Sequence, residues 1–139
     1  MLSLAFRRAV EKAMRNILIA SKAAATSALT LTGSAQDVPG VSLSLVAGTY
    51  VFQGVFDFSN GGTLDIGFIA VGELVIGADT QAAQALLQLL AGERSTVTQC
   101  WIAILTTTTT CKLQGRKTGG TGSSVANNIH TTLTAIRLS

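Results

Sequence analysis

Apolar side chains near the start of the chain recur at helical spacing. Over residues 3–24 they fall on one face, while Arg7, Glu11 and Arg15 follow one another at intervals of four on another face. Proline and glycine are absent from this stretch, and alanine and long unbranched side chains dominate it. The pattern predicts an amphipathic α-helix over residues 3–24. Its apolar stripe consists of Phe6, Val10, Ala13, Met14 and Ile17.

From residue 28 onward the hydrophobic period changes from helical to two. Leucine alternates with threonine or serine in the first such segments, and later segments are rich in aromatic and β-branched residues. Residues 81–90 are ambiguous, because their composition favours a helix although they lie between strand patterns; we interpret their second half as a strand. The other predicted strands are 28–32, 41–45, 50–58, 63–71, 73–76, 96–105, 111–117 and 131–138.

Glycine-rich and polar clusters separate these segments. The strongest turn signal, residues 59–62, predicts a hairpin loop. Turns or loops are also predicted at 39–40, 47–49 and 91–93, and a flexible loop at 119–124.

Short strands at a spacing of about 8–12 residues, without intervening helices, are typical of antiparallel sandwiches and jelly rolls. The sequence therefore predicts an all-β antiparallel jelly-roll sandwich preceded by one N-terminal amphipathic α-helix. The predicted division places a basic docking arm at residues 1–27 and the sandwich at residues 28–139.

Composition adds an expectation of self-association. Charged residues make up 12% of the chain and hydrophobic residues 47%, whereas an average soluble protein has about 25% charged residues. A small domain with so little charge is expected to bury part of its surface against other chains. We therefore expect an oligomer.

The net charge of +3 is located in the N-terminal segment. Residues 1–22 contain five basic residues against the single acid Glu11, whereas residues 23–139 contain five basic and six acidic residues. The body of the chain offers no basic face for a nucleic-acid backbone, so no nucleic-acid partner is predicted. No segment approaches the about 20 apolar residues of a membrane span, and no membrane partner is predicted.

The N-terminal segment admits several interpretations. The apolar run at 17–20 is short for a secretory signal, and the Arg-containing amphipathic composition is closer to that of a mitochondrial transit peptide. A retained helix packs on its own domain or docks on a partner. We favour docking, since positive charge is concentrated here beside an apolar stripe. The predicted partner-binding residues are Phe6, Arg7, Arg8, Val10, Met14, Arg15 and Ile17.

Residues able to perform chemistry are dispersed. The single histidine, His130, lies in no recognisable catalytic motif, and the acidic residues occur singly. Residues 115–120 contain the residue types of a phosphate loop in the wrong order, and we interpret them as a solvated hairpin tip. Cys100 and Cys111 are expected to be reduced and half-buried, although a bridge across a hairpin stays open. We predict no enzymatic activity, cofactor, metal or small-molecule substrate.

Three segments carry a resemblance to a known family. They are the strand–turn–strand at 41–52, with Ala-Gly-Thr-Tyr at its turn, the Leu-Ala-Gly-Glu at 90–93 before a long strand, and the closing strand at 131–139. Together they resemble the small tumour-necrosis-factor-like jelly rolls of tailed-bacteriophage virion proteins. That group includes trimeric capsid decoration (cement) proteins, head fibres and distal tail-fibre domains. The resemblance covers roughly residues 28–139.

The resemblance implies a homotrimer on a virion. A compact domain with a short docking helix suits a capsid surface better than a fibre, which usually has a long shaft sequence. We therefore expect a capsid decoration protein, made in the host cytoplasm, that trimerises and binds neighbouring major capsid subunits. The alternatives are a tail-fibre or receptor-binding virion protein and a trimeric carbohydrate-binding domain.

Overall fold

The computed structural model describes residues 3–17, 20–61, 69–119, 125–127 and 130–139, with side chains described in these ranges except at 13–17 and 125–127. One helix and eleven strands lie within them. The elements are α1 (Leu4–Ile17), β1 (Ala20–Ala24), β2 (Leu29–Thr30), β3 (Gln36–Leu45), β4 (Gly48–Asn60), β5 (Ile69–Ile76), β6 (Asp79–Thr80), β7 (Ala85–Gln88), β8 (Arg94–Leu105), β9 (Thr109–Thr118), β10 (Val125–Asn127) and β11 (Thr132–Arg137).

The strands form two antiparallel sheets. Sheet 1 contains β1, β2, β4, β8, β10 and β11, and sheet 2 contains β3, β5, β6, β7 and β9. In sheet 1, β4 pairs with β8 along one side and with β11 and β10 along the other. Among the described strands, the chain changes sheet from β2 to β3, β3 to β4, β4 to β5, β7 to β8, β8 to β9 and β9 to β10. Such alternation between sheets is typical of a jelly roll, and the predicted fold class is confirmed.

The core between the sheets is built around β4. Phe52, Phe56 and Phe58 alternate along this strand toward the interior and are fully buried. Trp101 of β8 is also buried, and its Nε1 donates a hydrogen bond to the carbonyl oxygen of Ala83 at 2.8 Å. That bond ties sheet 1 to the segment preceding β7.

The N-terminal helix is shorter than predicted. α1 ends at Ile17, and residues 20–24 form β1, which pairs with β11 in sheet 1. The alanines and lysine of this segment favour a helix, but pairing supplies hydrogen bonds to the edge of β11, and this tertiary contact overrides local propensity. Whether residues 1–27 form a unit separate from 28–139 stays a prediction.

Two of the predicted turns have other roles. Pro39 and Gly40 lie inside β3, where the register with β9 shifts, and Gly40 adopts a φ of 82°. They form a β-bulge, and the backbone N–H of Thr26 donates to the carbonyl of Pro39 at 2.9 Å. Of the predicted hairpin loop at 59–62, residues 59 and 60 belong to β4 instead, while residue 62 and the first part of the strand predicted to follow it lie outside the described residues.

The remaining strand predictions largely hold. β7 confirms the strand in the second half of 81–90, and β8, β9 and β11 confirm three others. Residues 115–118 lie within β9, which is paired on both sides, so the hairpin-tip interpretation of this stretch is wrong. Residues 63–68 of one predicted strand and 120–124 of the predicted flexible loop lie outside the described residues.

Candidate interaction surfaces

Helix α1 begins at a serine cap. The hydroxyl of Ser3 accepts a hydrogen bond from the backbone N–H of Phe6 at 3.2 Å, and its carbonyl accepts one from Arg7 at 3.1 Å. Capping of this kind satisfies N–H groups that have no partner inside a helix. The helix thus starts where the sequence pattern predicts.

The apolar stripe of α1 is uncovered where its side chains are described. Phe6 and Val10 are 52% and 40% exposed. Together with Arg7 and Glu11 they line a shallow pocket on the helix surface. The contacts that α1 makes with the sandwich are mainly with β11. The side chains of Met14, Arg15 and Ile17, also predicted partner-binding residues, lie outside those described.

The charged side chains of α1 are also exposed. Arg7, Arg8, Glu11 and Lys12 all lie at the surface, and none of the ion pairs found among the described side chains involves this helix. The structure therefore places Phe6, Arg7, Arg8 and Val10 together on one accessible helix, with positive charge on and beside the apolar stripe.

A second apolar surface lies on the outer face of sheet 1, near the point where α1 joins it. Ile102 and Ile104 of β8 point outward and are 73% and 74% exposed. The cross-strand partner of Ile102 is Val51 of β4, which in turn pairs with Ile136 of β11. We call Val51, Ile102, Ile104, Ile136 and Leu138 the aliphatic patch.

Little charge accompanies this patch. The row of residues next to it contains Lys22, Thr134, Gln53 and Cys100 on successive strands. Apart from Lys22 and the paired Asp57 and Arg94, the outward positions of β1, β4, β8 and β11 are uncharged. The face therefore combines exposed aliphatic side chains with threonine, alanine and glutamine.

The outer face of sheet 2 is different, because charged and amide side chains pair across its strands. Asp37 accepts hydrogen bonds from Gln114 at 2.6 Å and from Lys112 at 2.8 Å. Glu73 accepts bonds from Arg116 at 2.9 Å and from Gln84 at 2.6 Å. The bonds from Gln114 and Lys112 lower the pKa of the Asp37 carboxyl. The Asp37 carboxylate is exposed to water, whereas the Glu73 carboxylate is buried and has its charge balanced by Arg116.

The far end of the outer face of sheet 1 contains a two-bond ion pair. The Arg94 guanidinium donates to both carboxylate oxygens of Asp57, at 2.6 and 3.1 Å. The Asp57 side chain is almost fully buried, whereas that of Arg94 is about half exposed. This hydrogen bonding raises the pKa of Arg94. The pair satisfies a buried carboxylate, and the geometry indicates a structural role.

The described residues bring no catalytic or metal-binding set together. His130 is exposed in a turn, and no group of three or more histidine, cysteine, aspartate or glutamate side chains in the described ranges is placed to hold a metal ion. No described helix is long and apolar enough to cross a membrane.

The two cysteines are free and lie in different sheets. Cys100 of β8 is exposed on the outer face of sheet 1, next to the aliphatic patch. Cys111 of β9 lies in the core, and burial raises the pKa of its thiol to about 11. They do not face each other across a hairpin, and the prediction of two half-buried thiols is wrong in its burial.

The sequence predicted α1 and its stripe but not the aliphatic patch as a unit. The outward alternation of Ile102 and Ile104 was readable from the sequence. Their proximity to Val51 and Ile136 depends on the register between β4, β8 and β11, which no local pattern specifies.

Comparison with known proteins gives structural similarity alone. No protein-family model matches the chain, and no curated protein matches it. The globular domain of zebrafish complement 1qA has a TM-score of 0.58 and 9% identity, covering 86% of this chain and 97% of the other. Eiger TNF from S. frugiperda has a TM-score of 0.58 and 12% identity, with 87% and 92% covered.

A viral particle protein has a similar domain. A chain of the T13 particle of infectious bursal disease virus has a TM-score of 0.62 and 14% identity over 86% of this chain. This chain spans 31% of that viral chain. At these identities the comparisons show the fold, which is a jelly roll of the kind found in TNF- and C1q-like domains and in viral capsid proteins.

Proposed function

We propose that this chain is a structural, non-enzymatic virion protein of the capsid decoration (cement) class from a bacteriophage. It is made in the host cytoplasm, forms a homotrimer and binds neighbouring major capsid subunits on the capsid surface. The observation that carries the proposal is α1, a capped helix whose described apolar side chains and positive charges are left uncovered by the sandwich.

The apolar stripe is the proposed source of affinity. Burial of one large apolar side chain contributes about 1.5–3 kcal/mol. Phe6 and Val10 are about half exposed in the single chain. Burial of their remaining exposed area on docking would therefore supply part of this free energy. The partner surface is expected to be an apolar groove on the capsid subunits.

The basic residues would select the partner and its orientation. Arg7, Arg8 and Lys12 are exposed and lie on the helix that carries the stripe. An acidic rim around the apolar groove would attract them, increase the association rate and fix the direction of the helix. Because exposed charges are screened by salt, this part of the attachment should weaken as ionic strength rises.

The alternatives receive less support from the described residues. A carbohydrate-binding domain usually stacks sugars on exposed aromatic rings. Among the aromatic side chains described, Tyr50, Trp101 and the three phenylalanines of β4 are buried, and Phe6 of α1 is the exposed one. The similar viral domain is compatible with either a capsid or a fibre position.

The test is capsid attachment by stripe variants. Phe6→Ala with Val10→Ala removes apolar area while raising helix propensity, so a loss of binding would not come from melting of α1. We expect co-sedimentation with capsids to weaken at least tenfold. The matched control is Leu4→Ala, since Leu4 is 64% exposed on the opposite side of the same helix. Equal attachment of the stripe variant, the control and the wild-type protein would contradict the proposal.

A further inference from the structure

The aliphatic patch is a cluster of aliphatic side chains on one sheet face, in which Ile102, Ile104, Ile136 and Leu138 are 40–74% exposed. Its residues come from three adjacent strands and lie side by side on an accessible sheet face. Exposed apolar clusters of this kind mark interaction sites on monomeric proteins.

Charge favours a second copy of this chain as the cover. Identical faces that converge in a homotrimer bring like charges close together, so a face with little charge suits such a contact. The outward positions around the patch meet this condition, because Lys22 is the charged residue in the row next to it and Asp57 and Arg94 at the far end neutralise each other. Arg137, between Ile136 and Leu138, donates hydrogen bonds to the carbonyl oxygens of Ala47 and Ser139. The strongly charged element, α1, is suited instead to a partner of opposite sign.

The patch and α1 lie at the same end of sheet 1. Ala20, the first residue of β1, pairs with Ile136 of the patch. The last residue of α1, Ile17, is three positions earlier in the chain. A contact over the patch therefore brings the starting points of several α1 helices to one end of the assembly.

We propose that copies of this chain meet over the aliphatic patch and that this contact makes attachment through α1 conditional on self-association. The inference rests on the proposed docking role of α1. A single α1 is a short helix with few apolar contacts to offer. Several held at one end of a rigid assembly bind with an effective concentration that can strengthen attachment by about 10²- to 10⁴-fold.

The thiol of Cys100 can report whether the proposed interface is covered. Cys100 lies two residues before Ile102 on the same face and is exposed in the single chain. Cys111 is buried with a raised thiol pKa, so it reacts slowly with thiol reagents. The labelling rate of the native protein thus measures how well the patch region is covered.

The experiment compares the wild-type protein with Ile102→Gln and Ile104→Gln together. Glutamine is neutral, so the variant weakens the patch without changing electrostatic attraction to the capsid. The control is Leu86→Gln, because Leu86 of β7 is 56% exposed on the outer face of sheet 2. Light scattering, Cys100 labelling and capsid co-sedimentation are measured on all three proteins, with circular dichroism to check folding.

We expect the wild-type and control proteins to scatter as about three times 14.3 kDa and to label slowly at Cys100. The patch variant should be a folded monomer that labels at least tenfold faster and attaches at least tenfold more weakly. Wild-type attachment should also fall more steeply on dilution than a single-site curve.

Each failure has a different meaning. A patch variant that remains an oligomer overturns the assignment of the interface. A monomeric patch variant that attaches as well as wild type, while Phe6→Ala with Val10→Ala abolishes attachment, overturns the coupling alone. Attachment that survives Phe6→Ala with Val10→Ala overturns the proposed docking role and the coupling with it.

Discussion

Gly72 of one sheet lies against a phenylalanine ring of the other, with no room for a side chain between them. A Cβ placed on Gly72 of β5 would lie 2.4 Å from the ring of Phe56 of β4. Phe56 is fully buried, so its ring cannot swing away into solvent. The two sheets approach closely here because one of the facing residues has no side chain.

We therefore expect Gly72→Ala to destabilise the fold by about 1–3 kcal/mol, the usual cost of overpacking a core. Chemical denaturation followed by tryptophan fluorescence measures the change. Gly33→Ala is the matched control, because a Cβ at Gly33 meets no atom within 4 Å. If both substitutions changed the free energy of unfolding equally, the close contact would have no energetic weight.

The two cysteines should respond differently to the same substitution. Cys111→Ser places a hydroxyl in an apolar core at a cost of about 1–3 kcal/mol, whereas Cys111→Ala loses less because no polar group is buried. Cys100→Ser changes an exposed side chain and should stay within about 0.5 kcal/mol of wild type. Denaturant midpoints measure all three. A complete intrachain disulfide in the mass spectrum of the native protein would contradict this account.

At the scale of elements, the boundary between α1 and β1 determines which N-terminal residues can be deleted without disturbing sheet 1. β1 pairs along its whole length with β11, and residues 25 and 26 continue to bond to Thr131 and Pro39. Removing β1 would expose the edge of β11 and leave its backbone groups without partners. Removing α1 alone leaves the sheet complete.

We expect deletion of residues 1–17 to leave the sandwich folded, with capsid attachment lost. Deletion of residues 1–24 should in addition lower the thermal midpoint and increase aggregation, since β11 becomes an open edge. Differential scanning calorimetry compares the two. Equal midpoints for both deletions would show that β1 contributes nothing to the sheet.

How far the sequence predicts these elements depends on whether the deciding contacts are local. Alternation predicted β8 and β11, and helical spacing predicted α1. Residues 20–24 were predicted to be helical because of their composition. They form β1 instead, because pairing with β11, more than 100 residues away, determines their conformation. The same reason explains why Pro39 and Gly40 were interpreted as a turn, since their bulge exists only opposite β9 and the Thr26 backbone.

The whole molecule has two sides with opposite character. The outer face of sheet 2 carries paired charges such as Asp37–Lys112 and Glu73–Arg116. The outer face of sheet 1 carries the aliphatic patch, and α1 emerges beside it. The low overall charge of the sequence predicted self-association, but only the sheet register shows on which face the apolar residues collect.

This asymmetry agrees with an assembly whose copies meet through sheet 1 and leave the polar face of sheet 2 to solvent. Attachment to a larger particle then falls to α1. A jelly roll by itself serves many functions, so the proposed capsid role is tested on the particle and not on the fold.

The most direct measurement tests the proposed phage origin and capsid position together: it is the protein content of DNA-filled capsids, purified free of tails, from a phage whose genome encodes this chain. The account predicts that the chain is present in them in multiples of three, and that capsids stripped of it bind the added wild-type protein but not the protein lacking residues 1–17. Its absence from tail-free capsids, together with its presence in isolated tails, would contradict a role on the capsid surface.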